Sequence, residues 1–477
     1  MVASEARAGL DTTSPGAQRL VEWIETQFRG DVVSMRRLAR WRLGWFVDVL
    51  SEGRLVELYV RGARGPDFPS PYPLRHEVVV HDLLEAEGFP VPHVYGLVDL
   101  GFTEAIVMDR VPGEQGLAGA ADDATRRRLM LECVDYMARM HRLDPVALAA
   151  RGFDVPTSSD EIVWSGAIAR LEAHYLASGR PADPVIEFLR RWLWRNRPRN
   201  RTRAAFVTWD AAQFLHHDGV LTALIDFELA HVGDPYMDLA PLRSRDTTEP
   251  FGDLSEAFAR YEQATGEPVD FSVVRYFEVS QLTATLMLQR PVMLAPDESS
   301  DLVTHIVWFV ESARYALDVL AEIHEIALEV IDVIEAPTSP HAAAHAHLVA
   351  ALHAAARARA RPDASAADDV ERRWRARCAY RLARHLQRVD EIGGLVDAAE
   401  IADGATLVGA LCADRVALDA ALVERIARED PADDLALIGY LNRRMQRSSM
   451  LLGPPDALLV KHVPIQPLTR LGSPRRS

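Results

Sequence analysis

The chain has 477 residues, 48% apolar and 26% charged, the balance of an ordinary globular protein with room for two to four domains at about 150 residues each. Its net charge of −16 argues against nucleic acid as a partner, because that affinity comes mostly from neutralising phosphates. No apolar run reaches the roughly 18 residues of a membrane span, and the first residues lack the basic start and apolar core of a secretory signal, so a cytoplasmic protein without a membrane partner is expected. In chain order, SPGAQRLVEWIETQF (14–28) predicts a helix, with Ser14 able to cap it and Pro15 suited to its first turn. WFVDVL, the turn SEG and RLVELYV predict a β-hairpin over 45–60. PLRHEVVVHDLLEAEG (73–88) predicts a helix stopped by Gly88, and HVYGLVDL and TEAIVMDRV predict two more strands. The result is a small sheet with one helix, ending near Gly113.

From Asp122 the texture turns helical. DDATRRRLMLECVDYMARMHRL and DPVIEFLRRWLWR have helical apolar spacing, two short strands follow at 204–208 and 220–226, and helices are expected over 253–264, 270–290 and 298–334. The Pro-containing stretch EAPTSPHAAAH (335–345) marks an expected boundary. Beyond it, 354–369 reads as a loop or frayed helix, followed by the amphipathic segments ERRWRARCAYRLARHLQRV and ALDAALVERIARE. There is no internal repeat. The expected organisation is an N-terminal helix (1–30), a small α+β lobe (31–113), a helical lobe holding a β-hairpin (114–335) and a helical extension (336–477). The three cysteines, Cys133, Cys378 and Cys412, are far apart and suggest neither disulfides nor a zinc site. Of 53 basic residues only Lys461 is lysine, so any cationic site elsewhere must use arginine or histidine.

The informative stretch is VTWDAAQFLHHDGVLTALIDFELAHVGDP, 207–235. Asp218-Gly219 is a two-residue hairpin turn. With those two in the turn, His217 pairs with Val220, Leu215 with Thr222, and Asp226 falls opposite Ala211, beside Asp210 and near Gln213. Two carboxylates and an amide therefore converge at the open end of a hairpin. Like charges at about 4 Å repel by about 1 kcal/mol even in high dielectric, and a divalent cation held by hard oxygen ligands would relieve that cost. A bland alternative makes Asp210 a turn residue and Asp226 a helix cap.

WDAAQFL…ALIDFELAHVGDPYMDLA resembles the core of the aminoglycoside-phosphotransferase/choline-kinase-like family of small-molecule kinases, at Asp226, Phe227, Glu228, Gly233, Asp234, Pro235, Asp238, Leu239 and Ala240. The resemblance implies an α+β, two-lobed protein-kinase-like fold over about residues 30 to 330, with the C-terminal extension all-α. It implies that Asp210 is the catalytic base or orienter and that Asp226 holds Mg²⁺ on the phosphates of ATP, or of GTP. Thr208 and Trp209 replace the family's His-Gly, the loop is two residues shorter, and Gln213 stands where the family has Asn, making it the second expected metal ligand. The fold also asks for a cation at the end of the third strand paired with a glutamate on the next helix; Arg61 and Glu77 occupy those places. Met108, Asp109, Arg110 and Val111 fall at the hinge, where backbone would meet adenine. Arg36, Arg37, Arg40 and Arg42 lie where the family covers the phosphates, and Arg243 or Arg245 follows toward the acceptor side.

These features together imply a Mg²⁺-dependent phosphotransferase moving the γ-phosphoryl group to a hydroxyl of a small molecule. The basic runs lean toward an acidic acceptor, such as a hydroxy acid or hydroxyacyl thioester. The alternative is a pseudokinase, a nucleotide-binding or scaffold module without turnover, which the altered His-Gly-Asp and the missing lysine favour. The extension carries no readable chemistry; its helices are expected to pack on the kinase body or to join two copies in a homodimer.

Overall fold

The structure is a computed structural model that describes residues 16–38, 42–64, 68–117, 119–210, 212–298, 300–335, 337, 339–358, 366–453 and 461–472. Ser14, Pro15 and Arg40 lie outside the described residues. The first helix, α1 (Ala17–Phe28), leads into a five-stranded antiparallel sheet made of β1 (Asp31–Arg37), β2 (Gly44–Ser51), β3 (Arg54–Gly62), β4 (Val94–Asp99) and β5 (Glu104–Asp109), in spatial order β1-β2-β3-β5-β4. Helix α2 (Leu74–Ala86) connects β3 to β4, and Gly88, at φ +71, ends it as expected.

Strand periodicity assigns the two faces of this sheet. Trp45, Val47 and Val49 of β2 are buried with Leu58 and Val60 of β3 and with Leu20 and Ile24 of α1. The alternate positions Phe46, Tyr59, Arg61, Ile106 and Met108 share the other face, since Phe46 pairs with Tyr59, Tyr59 with Met108 and Arg61 with Ile106. Leu74 and Val78 of α2 pack on Ile106 and Met108, which carries Glu77 to Arg61. Strand β1 was not expected from the sequence. Its inward residues Val32 and Met35 do not alternate strictly because a bulge interrupts the pairing between Val32 and Ser34.

The large lobe contains β6 (Glu114–Gln115), α3 (Asp123–Met140), α4 (Pro145–Ala150), α5 (Ser159–Val163), α6 (Gly166–Ala177), α7 (Pro184–Arg195), β7 (Ala205–Val207), β8 (Phe214–His217), β9 (Val220–Leu224), β10 (His231–Gly233), α8 (Tyr236–Leu239), α9 (Pro241–Asp246), α10 (Leu254–Thr265), α11 (Phe271–Leu294) and α12 (Leu302–Ile323). Aspartate caps define many of the helix starts: Asp122, Asp144, Asp183, Asp253 and Asp270 each accept a backbone N–H from their own first turn. The expected helix over 298–334 is shorter, ending at Ile323. Residues 326–335 leave the helical path because Ile331 and Ile334 are drawn onto the extension, and the Ile331 N–H donates to Gln446 at 3.1 Å.

The extension comprises α13 (Ala342–Arg357), α14 (Ala366–Val408), α15 (Arg415–Ile426) and α16 (Asp434–Met450). It is not a separate appendage. Leu418, Leu422 and Ile426 of α15 and Leu437, Ile438, Tyr440 and Leu441 of α16 belong to the same apolar core as α7 and α11. Among the described residues no helix is long and apolar enough to cross a membrane.

Candidate active site

Strand β7 ends at Val207, and the chain turns through Thr208 to Gln213 before β8. Two non-glycine residues of this loop, Trp209 (φ 55) and Ala212 (φ 63), adopt left-handed backbone, as does Asp226 (φ 68) just past β9. Each such residue stores about 1–3 kcal/mol, so the surroundings must impose the conformation. Asp238, fully buried on α8, does so. Its carboxylate accepts the N–H groups of Thr208 (3.0 Å) and Trp209 (2.7 Å), the Thr208 hydroxyl (3.0 Å) and His141 Nε2 (3.0 Å). His141 Nδ1 in turn lies 2.8 Å from the Tyr261 hydroxyl. Trp209, standing where the family has glycine, is thus held in a glycine-like conformation by a buried acid 29 residues downstream.

The hairpin closes around Asp218 and Gly219, with His217 opposite Val220. Beyond that the expected register is wrong by one residue. A bulge between Leu215 and His216 places Leu215 opposite Ala223 and Phe214 opposite Leu224, and the Ile225 N–H donates to the Gln213 carbonyl at 3.1 Å. Asp226 therefore falls toward Ala212; Ala211, its expected partner, lies outside the described residues. Because residues alternate faces, the bulge turns the end of the hairpin over, yet Asp210, Gln213 and Asp226 still line one cleft.

Asp210 is held from two sides. Gln213 Nε2 donates to it at 2.8 Å and Arg245 ion-pairs with it. The Gln213 amide oxygen accepts from Gln115 Nε2 at 2.8 Å, so as placed Gln213 orients Asp210, and its oxygen faces Gln115. Arg245 also reaches Glu249 at 3.5 Å, and the two carboxylates outweigh the burial that opposes its charge, raising its pKa. Arg243, the other arginine expected near the acceptor, is structural: it is buried against Glu278 (2.6 Å), Glu322 (2.7 Å) and the Gln466 carbonyl (2.9 Å).

Arg61 joins the lobes. One side of its buried guanidinium pairs with Glu77 and the other with Asp226, and it reaches Glu228 at 3.4 Å. Burial works against its charge and lowers its pKa despite Asp226 and Glu228. Glu228 is a second hub, meeting Arg42, Arg61 and Arg64, the last through Nε at 3.0 Å as well as a second guanidinium nitrogen. Burial opposes its ionisation, but Arg64, Arg42 and Arg61 together hold its carboxyl well below the usual range.

At the hinge both side chains and backbone groups already have partners. Met108 is buried under α2. The Asp109 carboxylate accepts the Tyr95 hydroxyl at 2.8 Å, and the N–H groups of Asp109 and Arg110 are already donated to the carbonyls of His93 (2.9 Å) and Glu57 (3.0 Å). Arg110 bridges Asp48 (2.9 Å) and Glu57, a like-charged cross-strand pair that needs a cation, and lies 5.2 Å from the Phe46 ring centroid. Of the basic run before β2, Arg42 enters the cleft while Arg36 lies over Phe46. Sequence reading assigned no role to Glu228, Asp238, His141 or Arg64. The first two lie inside the quoted motif; nothing in local sequence marks His141 or Arg64.

Residues 46–272 match the family model described as the phosphotransferase enzyme family. This region is similar to that family over a little under half of the chain. Similar solved structures include macrolide 2′-phosphotransferase MphH from Brachybacterium faecium, 21% identical over 61% of this chain and 97% of that one, with a TM-score of 0.42. Others are aminoglycoside phosphotransferase APH(4)-Ia (16%, 62% and 98%, 0.43) and spectinomycin phosphotransferase APH(9)-Ia, solved with ADP and spectinomycin (12%, 61% and 93%, 0.44). No curated protein matches the chain. The matched region takes in most of the five-stranded sheet and the large lobe as far as the start of α11, and ends before α12 and the extension.

Proposed function

We propose that this protein is a Mg²⁺-dependent kinase that transfers the γ-phosphoryl group of ATP, or of GTP, to a hydroxyl of a small acidic acceptor. The observation carrying the reading is the Arg61 bridge: a small-lobe guanidinium that pairs with Glu77 and touches the Asp226 carboxylate, in the cleft that Asp210 lines. Asp226 suits a magnesium ion, being a hard carboxylate that is partly exposed and needs a cation beside it, a need Arg61 now meets. Gln213 is the second ligand in this reading, once its oxygen leaves Gln115. Bound there, the ion would neutralise charge on the β- and γ-phosphates.

The chain's own residues supply the rest. Arg61, steadied by Glu77, forks onto phosphate oxygens as a fixed bidentate donor. Asp210, oriented by Gln213 and Arg245, accepts the acceptor's hydroxyl proton as the oxygen attacks. Asp238 and His141 keep the loop carrying Asp210 in its left-handed turn, and positioning of this kind provides most of the rate. Val111, past the committed N–H groups of Asp109 and Arg110, is the hinge residue left to meet the base. Arg245 lines the cleft but is paired with Asp210 and Glu249, so an acidic acceptor needs a further cation. Exposed Leu348, Leu386 and Leu395 on α13 and α14 support a homodimer through the extension. The test is transfer of label from γ-labelled ATP to a panel of alcohols by wild type and Asp210→Asn. Loss of transfer with retained nucleotide binding in the variant supports the reading, whereas magnesium-dependent binding without transfer to any alcohol would make the protein a nucleotide-binding module.

A further inference from the structure

Residues 461–472 form a strap from the C-terminal end of the chain back across the large lobe. It is fastened at three points. The His462 ring stands between Glu311 (3.0 Å) and Asp318 (2.7 Å) of α12 and stacks on Tyr315 with centroids 4.9 Å apart. Gln466 donates to Asp246 at 2.7 Å while its carbonyl accepts from Arg243. Arg470 donates to the Val269 carbonyl at 2.6 Å and lies over the Phe271 ring. A cavity of about 1340 Å³ is lined both by Asp210 and Asp226 and by Lys461 and Val463 of the strap.

The charges around this cavity are unevenly matched. Arg42, Arg64 and Arg245, which also line it, are each engaged by a carboxylate. Lys461, the only lysine in the chain, is exposed and makes no ion pair among the described residues. The rest of the lining mixes the apolar Tyr72, Leu282, Leu288, Trp308 and Val463 with the polar Gln289 and Glu311. The family match ends at residue 272, so all of these but Tyr72 come from parts of the chain that the family model does not describe.

We propose that the strap is the acceptor-side wall of the cleft, and that Lys461 is a specificity residue selecting an alcohol that carries a carboxylate or similar anion on an apolar body. This rests on the phosphotransfer reading above. A long aliphatic hydroxy acid matches all three features: hydroxyl toward Asp210, chain along the apolar side chains of the lining, anion on the ammonium. The strap thereby makes the extension part of the site.

A single lysine permits a direct test. Reductive ¹³C-methylation of the full chain, which keeps the charge, gives one dimethyl-lysine resonance besides the terminal amine. It is titrated with 3-hydroxydecanoate, its methyl ester, glucosamine and Mg·ATP, and transfer from labelled ATP is measured on the same set with wild type, Lys461→Ala and Lys461→Arg. The expected result is a saturable shift with the hydroxy acid alone, an acceptor KM raised at least tenfold in Lys461→Ala and largely restored in Lys461→Arg, and a KM for ATP within twofold of wild type. A shift without transfer would sink the phosphotransfer reading and leave the anion site standing. Transfer to the hydroxy acid with neither a shift nor a KM change, or a resonance silent to every compound, would overturn the proposal.

Discussion

Replacing Glu77 by glutamine isolates the ion pair that ties α2 to Arg61, the cation proposed to bind phosphate. The change preserves size and removes one charge. Arg61 and Glu77 have side chains only 8% and 3% exposed, so water cannot take the place of the lost carboxylate. Stripping a buried charge of its partner costs about 3–5 kcal/mol when nothing else compensates. Arg61 keeps Asp226 and Glu228, which are 27% and 19% exposed, and that brings the cost down to roughly 2 kcal/mol. At about 2–4 °C per kcal/mol, Tm should fall by about 4–8 °C. A guanidinium released from Glu77 settles on the two remaining carboxylates and no longer points at phosphate, so kcat/KM for ATP should fall by about 30- to 1000-fold, or roughly 2–4 kcal/mol. Thermal unfolding and initial rates with saturating acceptor read both effects. A Glu77→Gln protein with unchanged Tm and unchanged kcat/KM for ATP would refute this account of the bridge.

Other substitutions probe the loop and the strap. The Trp209 indole N–H is buried with no hydrogen-bond partner among the described residues, so Trp209→Phe, which removes it, should stay within about 1 kcal/mol of wild type in urea unfolding. Trp209→Gly relieves about 1 kcal/mol of left-handed backbone but empties a ring site worth about 3–5 kcal/mol; a glycine variant more stable than wild type would contradict that ranking. Asp238→Asn leaves four donors facing a neutral amide and should cost about 3–5 kcal/mol and most transfer activity, measured by unfolding and initial rate; a stable, active variant would show that the loop holds its own shape. At His462, burial and Arg314 oppose the charged ring, but Asp318 and Glu311 outweigh them and raise its pKa above 6.5. The strap's latch is therefore fully present below pH 6.5 and lost as pH rises through the raised value. Amide exchange of 461–470 should quicken from pH 6 to pH 9 beyond the intrinsic rate, and His462→Phe should abolish that pH dependence.

Much of the site was legible because it is local. The Asp-Gly turn, the alternation of β2 and β3, and the Gly88 stop are written within a few residues of where they act. The quoted motif brought Asp210, Gln213 and Asp226 into one neighbourhood despite a register error, since a bulge moves a partner by one place and leaves the cluster intact. What failed was long-range. Nothing near Glu228 signals that Arg42, Arg61 and Arg64 will converge on it, because the three come from the other lobe. Arg243 and Arg245 look alike in sequence, yet one is sealed against Glu278 and the other faces Asp210. Helix α12 stops early because the extension competes for Ile331 and Ile334, and that competition is decided by α14 and α16, far along the chain. Arg110 reads as a hinge residue, but its side chain answers to Asp48 and Glu57, whose opposition appears only once β2 and β3 are paired.

The central claim is that Asp226 is the carboxylate that couples nucleotide to magnesium. Calorimetric ATP affinity, measured with and without Mg²⁺ for wild type and Asp226→Asn, tests it most directly. The account predicts that magnesium tightens ATP binding to wild type at least tenfold and leaves the affinity of Asp226→Asn unchanged. A variant retaining the wild-type magnesium response would contradict it.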